Sequence, residues 1–244
     1  MWSSRVRRLL LSAAVLPLAL VALRDAPTGP GPSHTDRHTP PPRPGPRPPI
    51  VTRAQWHADE MMVRDHHAEA GTVSAVFIHH TGHPNTYTCD EVPDMLKALQ
   101  VEHVHGQGWD DIGYNFLVDR CGTIYEGRSG SVARPVRGSH TEGFNVGTVG
   151  IAAVGSYGPG ETVPQALLTG IARVAAWKLR PQADPRGTVR LTSTANGTRY
   201  RKGQRVELPV ISGHRDGHRT RCPGDALYKR LPEIRDAVAR LRAR

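Results

Sequence analysis

Val73-Ser-Ala-Val-Phe-Ile-His-His80, followed at once by Thr81-Gly82, is an apolar, β-branched run that ends in two histidines. Such a run, short and closed by a glycine, reads as a buried strand. Side chains alternate across a strand, so only one of His79 and His80 can face a given site. Neutral imidazole is the commonest nitrogen ligand for metals. The plainer reading of the pair is a buried histidine satisfied by a hydrogen bond.

Working outward, Glu91 to His105 places Val92, Met95, Leu96, Leu99 and Val101 at mostly helical spacing, and Gly106 stops it. Tyr114-Asn-Phe-Leu-Val-Asp119 and Gly122-Thr-Ile-Tyr-Glu126 read as two strands joined by a tight turn. Thr148 to Val154 is a further apolar strand, and Pro164 to Leu179 a helix opened by proline. Between Thr188 and Leu208 the pattern alternates around Asn196-Gly197, a strong signal for a short hairpin turn. A last helix is expected over Ala226 to Leu241, with arginines on its outer face. Strands and helices mixed in this order predict an α/β domain, a central mixed β-sheet flanked by helices.

The rest of the chain divides by composition. Arg5, Arg7 and Arg8 precede an uncharged apolar run from Leu9 to Leu23. That run is shorter than the roughly 20 residues of a membrane span and suits the core of a signal peptide. Arg24 and Asp25 leave the cleavage site poorly defined, so an uncleaved anchor is the other reading of residues 1–25. Either way the remainder is expected outside the cytoplasm, secreted or associated with a cell wall. Residues 26–50 are Pro-rich with little apolar surface to bury, and are expected to form a disordered, stiffened linker. Residues 51–244 remain as one globular domain, expected to be a monomer.

The 244-residue chain carries 32 Lys+Arg against 22 Asp+Glu, a formal net charge of +10. The charge is spread along the sequence, without the basic block and interleaved aromatics that track a phosphate backbone, so no nucleic-acid partner is expected. An anionic cell wall fits the balance as well.

Two further stretches carry chemistry. Ser212-Gly-His-Arg-Asp-Gly-His-Arg-Thr-Arg-Cys-Pro-Gly-Asp225 sets His214 eight positions before Cys222 across a polar loop, with His218 competing for the same role. Zinc accepts imidazole and thiolate together, and a catalytic zinc keeps three protein ligands and one open position. A free thiol or a disulfide at Cys222 is the alternative. Gly108-Trp-Asp-Asp-Ile-Gly-Tyr-Asn-Phe116 combines aromatics with several glycines, as a wall approached closely by a ligand would.

Five words in this order resemble the zinc N-acetylmuramoyl-L-alanine amidases of the peptidoglycan recognition protein family, which also resemble phage T7 lysozyme. They are Phe77-Ile-His-His-Thr81, Gly108 to Phe116, Ile124-Tyr-Glu-Gly-Arg128, Gly138-Ser-His-Thr-Glu-Gly-Phe-Asn145, and Gly213-His-Arg with Thr220-Arg-Cys-Pro-Gly-Asp225. The resemblance covers nearly all of residues 51 to 230. It implies one Zn2+ on His79, His214 and Cys222, leaving His80 and His218 outside the ligand set. It implies that Tyr114 is the catalytic tyrosine set over the water that zinc activates. Thr220 stands where phage-type enzymes carry lysine and many animal amidases carry threonine. By the same resemblance Arg128 and His140 line the substrate groove, with Thr81 and Trp109 at its border; Arg128 either meets a stem-peptide carboxylate or makes a structural salt bridge.

The implied reaction is hydrolysis of the amide between N-acetylmuramic acid and L-alanine, with peptidoglycan as the partner. With no carboxylate at an obvious general-base position, Tyr114 is the candidate for orienting and deprotonating the water. With Cys222 assigned to the metal, counting leaves Cys89 and Cys121 as a disulfide in an oxidising compartment. Segment Ser129 to Arg137 departs from the animal members. Two other functions compete. Non-catalytic recognition modules of the family in many cases lack the cysteine ligand. A glycosidase needs two carboxylates flanking the scissile bond, and nothing marks such a pair among Asp110, Asp111 and Glu126.

Overall fold

The computed structural model describes residues 43–64 and 68–243. The expected signal segment, 1–25, and the first part of the expected linker lie outside the described residues. The strand read from Val73 to His80 is β1, Ala75–His80. It lies inside a five-stranded sheet of order β3-β2-β4-β1-β7, built from β2 (Phe116–Val118), β3 (Ile124–Glu126), β4 (Thr148–Ala153) and β7 (Ile211–Gly213). β2, β4, β1 and β7 run parallel, and β3 pairs antiparallel with β2 at one edge. The expected mixed sheet is present, and its central strands are apolar because both faces are covered.

Alternation sorts the side chains. Val76 and Ile78 of β1, with Val149 and Ile151 of β4, pack beneath α2 (Gln165–Lys178) and α5 (Leu231–Arg242). On the opposite face Leu117, Tyr125 and Ala152 pack with Trp56, Leu96 and Leu99, the last two from α1 (Val92–Val101). The result is three layers, helix, sheet and helix. By the same alternation Phe77 and His79 lie on the face opposite α2 and α5, where Phe77 packs with Phe144, Val206 and Leu208.

Several boundaries differ from the sequence reading. The first helix ends as a single π-helical segment, Glu102–Gly106. The segment around Asn196-Gly197 does not close a two-residue turn: β5 (Thr188–Thr192) and β6 (Arg205–Pro209) pair as expected, but residues 193–204 connect them. Asn196 instead accepts a hydrogen bond from the Lys202 amide, which shapes that longer loop. The last helix is two, α4 (Asp225–Lys229) and α5, because Pro232 has no N–H to carry the hydrogen-bond ladder on from α4 and sits in the first turn of α5, where none is needed. The arginines of α5 are not all outward: Arg242 is buried and donates to the carbonyls of Arg180, Pro181 and Ala183.

The Pro-rich segment also departs from a disordered spacer at its end. Residues 43–50 lie along α2 and α5: the Gly45 amide donates to Ala176 at 2.9 Å, and the Arg47 guanidinium stacks on Trp177. Polyproline backbone has no internal hydrogen bonds to lose, and a Cβ at residue 45 would come within 2.8 Å of Ala176. A glycine there makes the close approach feasible.

Cys89 and Cys121 form the disulfide left by counting, 32 residues apart in sequence. It joins the start of the 3-10 turn Cys89–Glu91 to the β2–β3 turn. Closing a loop of that length should contribute roughly 3–4 kcal/mol in the chain-entropy description. Cys89→Ser is expected to lower the unfolding free energy by that amount in urea, while a thiol titration of unfolded, unreduced wild-type protein finds one thiol.

Candidate functional site

β1 and β7 end side by side, with Ile78 opposite Gly213, and that adjacency builds the site. His79 is fully buried on the α1 face; His80, one residue on, turns away, and its ring Nδ1 accepts the Tyr157 amide at 3.3 Å. His214 opens a short helical turn directly after β7, and its ring centroid lies 4.5 Å from that of His79. Cys222 returns to the same point: its Sγ is 3.8 Å from His79 Nδ1, and the His80 amide donates to it at 3.3 Å. The ligand atoms of His79, His214 and Cys222 all lie within 4.8 Å of one another.

The loop from 214 to 225 holds this geometry by cross-bracing. The Arg215 amide donates to the Cys222 carbonyl at 3.0 Å, and the Arg215 guanidinium pairs with Asp225 at 2.6 Å. Asp216 accepts from the Gly213 amide and from the Tyr228 hydroxyl. Tyr228 fits because a Cβ on Gly213 would come within 2.7 Å of its ring.

Burial sets the protonation. It lowers the pKa of His79 well below the ordinary imidazole value and that of His214 to about 4, so both rings are neutral and have lone pairs to give. Burial pushes the Cys222 thiol up to about 12; as a thiolate it would depend on a cation. Two neutral imidazoles and a thiol converging on one point, with a backbone N–H aimed at the sulfur, match the donor set of a zinc site with an open position. His218 lies beside His214, ring centroids 5.4 Å apart, with its Nε2 3.6 Å from Glu142.

Tyr114 stands over the cluster, its ring 5.2 Å from His79. Burial first, then the neighbouring Cys222, hold its phenol above the ordinary value. It is therefore a protonated hydroxyl that can orient a water, and not a resting base, which narrows the role expected of it. The Thr220 hydroxyl accepts from the Cys222 amide at 3.1 Å, which leaves its own proton free to donate.

The expected groove residues divide. Trp109 is half-exposed, resting on His103 with centroids 4.7 Å apart, and borders the opening. The Thr81 hydroxyl accepts from the Gly155 amide at 3.0 Å and secures a loop. Arg128 is 3% exposed: it donates to the Ile112 carbonyl at 3.1 Å and faces Asp110 at 3.8 Å. These contacts are internal, as in the structural alternative of the sequence reading, while its Nε is buried without a hydrogen-bond partner. His140 is not at the surface; it lies behind His79, on a berth left by Gly150, whose Cβ would come within 2.3 Å of its ring.

Two participants escaped the sequence reading. His103, at the π-helical end of α1, accepts the Gly113 amide through Nδ1 at 3.1 Å and packs on Tyr114. A histidine next to Val104 and His105 carries no spacing signal. Thr141 bridges His79 Nε2, at 3.3 Å, and His140 Nδ1, at 3.0 Å. With Nδ1 of His79 turned to the cluster, Nε2 is its N–H and donates to Thr141, which can donate onward to His140. The Asn145 side chain fixes both residues by accepting their amides.

Comparison with known proteins gives the family and the fold. Residues 69–225 match the family described as N-acetylmuramoyl-L-alanine amidase. The chain belongs to that family. Peptidoglycan-recognition protein SC2 of Drosophila simulans is 29% identical over 75% of this chain and 84% of its own. Peptidoglycan-recognition protein SD of Drosophila melanogaster is 31% identical over 74% and 82%. The N-acetylmuramoyl-L-alanine amidase of Homo sapiens is 31% identical over 64% of this chain but 23% of its own length. The crystal structure of the Drosophila recognition protein SD superposes with a TM-score of 0.58 at 24% identity, over 76% of this amidase-family chain and 94% of that one.

Thr141→Val keeps the shape but removes the partner of His79 Nε2. Loss of such a supporting bond typically costs about 10- to 100-fold in metal affinity, and a zinc competition titration should show a decrease of that size. Acid is expected to destabilise the metal-free protein. Burial lowers the pKa of His103 to about 4, so the unfolded chain binds its proton first as pH falls. Stability is complete above about pH 6.5 and is lost progressively toward pH 4; thermal melts across that range check it.

Proposed function

We propose that this family member is a zinc-dependent hydrolase of the amide bond between N-acetylmuramic acid and L-alanine in peptidoglycan, acting outside the cytoplasm as a monomer. The convergence of His79, His214 and Cys222 beneath Tyr114 carries the reading. A protein that only bound wall fragments would have no need of a desolvated thiol beside two neutral imidazoles. A disulfide between Cys89 and Cys121 fits an oxidising compartment. No helix among the described residues is long and apolar enough to cross a membrane.

Zinc held by His79, His214 and Cys222 would acidify a water and polarise the amide carbonyl. The chain's own groups do the remainder. Tyr114, held by the rings of His79 and His103, orients the attacking water through its hydroxyl. Thr220, fixed by the Cys222 amide, has its proton available where negative charge grows on the carbonyl oxygen. Thr141 and His140 keep the His79 ring in place from behind. Trp109 offers a half-exposed face to the sugar or peptide at the border. The bond that breaks joins the muramyl carbonyl carbon to the L-alanine nitrogen, which leaves as an amine carrying the proton given up by water.

The second reading, a recognition module that binds without cutting, is favoured by the names of several relatives. One solved complex of recognition proteins LCa and LCx, similar in fold with a TM-score of 0.58, holds tracheal cytotoxin. Product analysis separates the readings. Digestion of purified peptidoglycan by the full-length protein should create L-alanine amino termini without new reducing ends, stop with a chelator and resume with zinc. Reducing ends would establish a glycosidase, and retention on the wall without product would leave the binding module. Tyr114→Phe is expected to bind zinc with unchanged stoichiometry and to lose about 100-fold in turnover; full turnover would remove the assigned role.

A further inference from the structure

The positive charge of the domain is not spread evenly in space. Residues 43–244 hold 27 Lys+Arg against 20 Asp+Glu, and residues 188–221 alone hold eight against two. Six of seven excess charges thus fall within 34 consecutive residues. These residues form the β5–β6 hairpin with its long loop, then β7 and the loop carrying His214 and Thr220.

On the hairpin Arg190, Arg199, Arg201, Lys202 and Arg205 are all exposed, against one acid, Glu207, which is bonded by Thr188. Arg219 and Arg221 are exposed on either side of Thr220. Among the described residues none of these seven cations has a carboxylate within ion-pair distance; the one paired cation of the segment is Arg215, with Asp225.

The hairpin is fixed to the site and does not wave free of it. The Arg199 guanidinium donates to the Arg215 carbonyl at 2.8 Å, and the Thr194 amide donates to Gly143 at 2.9 Å. Tyr200 packs edge-on against Phe144, which packs against Phe77, two residues before His79. A cluster of unpaired cations repels itself and destabilises the compact state, so its presence on a braced ridge calls for an anionic partner. Guanidinium groups suit phosphate and carboxylate oxygens in particular.

The partner's class follows from what the ridge lacks. The single aromatic of the hairpin, Tyr200, is tucked against Phe144, so no stacking face for bases is offered. The exposed large hydrophobics among the described residues are Met61, Val101 and Val146, none of them on the ridge, so nothing there is suited to enter a lipid surface.

We propose that the hairpin 188–209 with Arg219 and Arg221 is a docking ridge for an anionic polymer attached to the wall glycan, bearing phosphodiester or carboxylate groups. Held on the ridge, such a polymer brings its glycan to the cleft rim at Thr220. The inference rests on the wall-amidase reading for its choice of wall over other polyanions.

The test uses the full-length protein and purified wall sacs in three forms: carrying a phosphodiester polymer, carrying a uronate polymer, and stripped of both. Arg201→Glu/Lys202→Glu/Arg205→Glu is compared with Arg173→Glu/Arg180→Glu/Lys229→Glu, which has the same net charge but leaves the ridge intact. The ridge variant should lose about tenfold or more in retention on one or both decorated sacs, as expected for the loss of several exposed charge contacts. The control variant should stay within about twofold, and raised salt should weaken wild-type retention. Which decorated sac responds identifies the anion. Release of stem peptide from soluble, undecorated fragments should be equal in wild type and ridge variant.

Equal loss in the control would overturn the proposal by showing net charge alone at work. Equal wild-type retention on stripped sacs, or preference for single-stranded DNA or anionic vesicles over decorated wall in competition, would overturn it too. Ridge-dependent retention in a protein without amidase activity would support the ridge and defeat the hydrolase reading, so the two fail separately.

Discussion

The constraint on which the rest of this structure depends is the desolvation of three donor atoms at the ends of two neighbouring parallel strands. His79 is wholly buried, and Cys222 almost so. Burial strips both of water and holds them uncharged. A neutral imidazole in that position has one nitrogen to satisfy from behind and one to present in front. Thr141 does the first, and the second faces His214 and Cys222. The His80 amide donates to Cys222 Sγ, which itself faces His79 Nδ1, so the donors are held turned toward one another.

Meeting that constraint shapes the irregular parts of the chain. The sheet supplies positions, but most of the machinery sits on loops, and each loop is held by a charged or amide side chain turned inward. Asn115 donates to Val136 and accepts from Gly150, joining the segment after Arg128 to β4. Arg53 reaches Asp111 and Glu60 and donates to the Gly127 carbonyl, which braces the stretch leading to Tyr114. Glycines serve where ring and backbone must nearly touch: at Gly150 beneath His140, and at Gly213 beneath Tyr228. Arg128, expected either to meet substrate or to make a structural salt bridge, bonds the Ile112 carbonyl and faces Asp110 within this bracing.

Much of this was legible beforehand. The β1 run, the two short strands after Tyr114 and the helix opened by Pro164 are local patterns, since periodicity and proline act over a few residues. The trio His79, His214 and Cys222 was named through the family resemblance, since the spacing of these residues alone left a buried histidine, His218 and a free thiol as alternatives. The hairpin turn and the packed end of the Pro-rich segment were misread because each is decided by what lies across from it, and Asn196 and Gly45 carry no record of their neighbours. The break in the last helix is local, and Pro232 already marked it in the sequence.

By itself the sequence determined the layered α/β architecture and an odd number of cysteines, three, of which one is left over once two pair. Those are properties of composition and short-range pattern, and they survive any detail of packing. Only the tertiary structure decided that His140 stands behind His79 and not in a groove, that Arg128 is paired internally, and that the hairpin carrying the excess charge is braced against the loop of His214. Those outcomes depend on contacts between segments far apart in the chain, where a missing Cβ or a buried carboxylate on one element fixes the role of a residue on another.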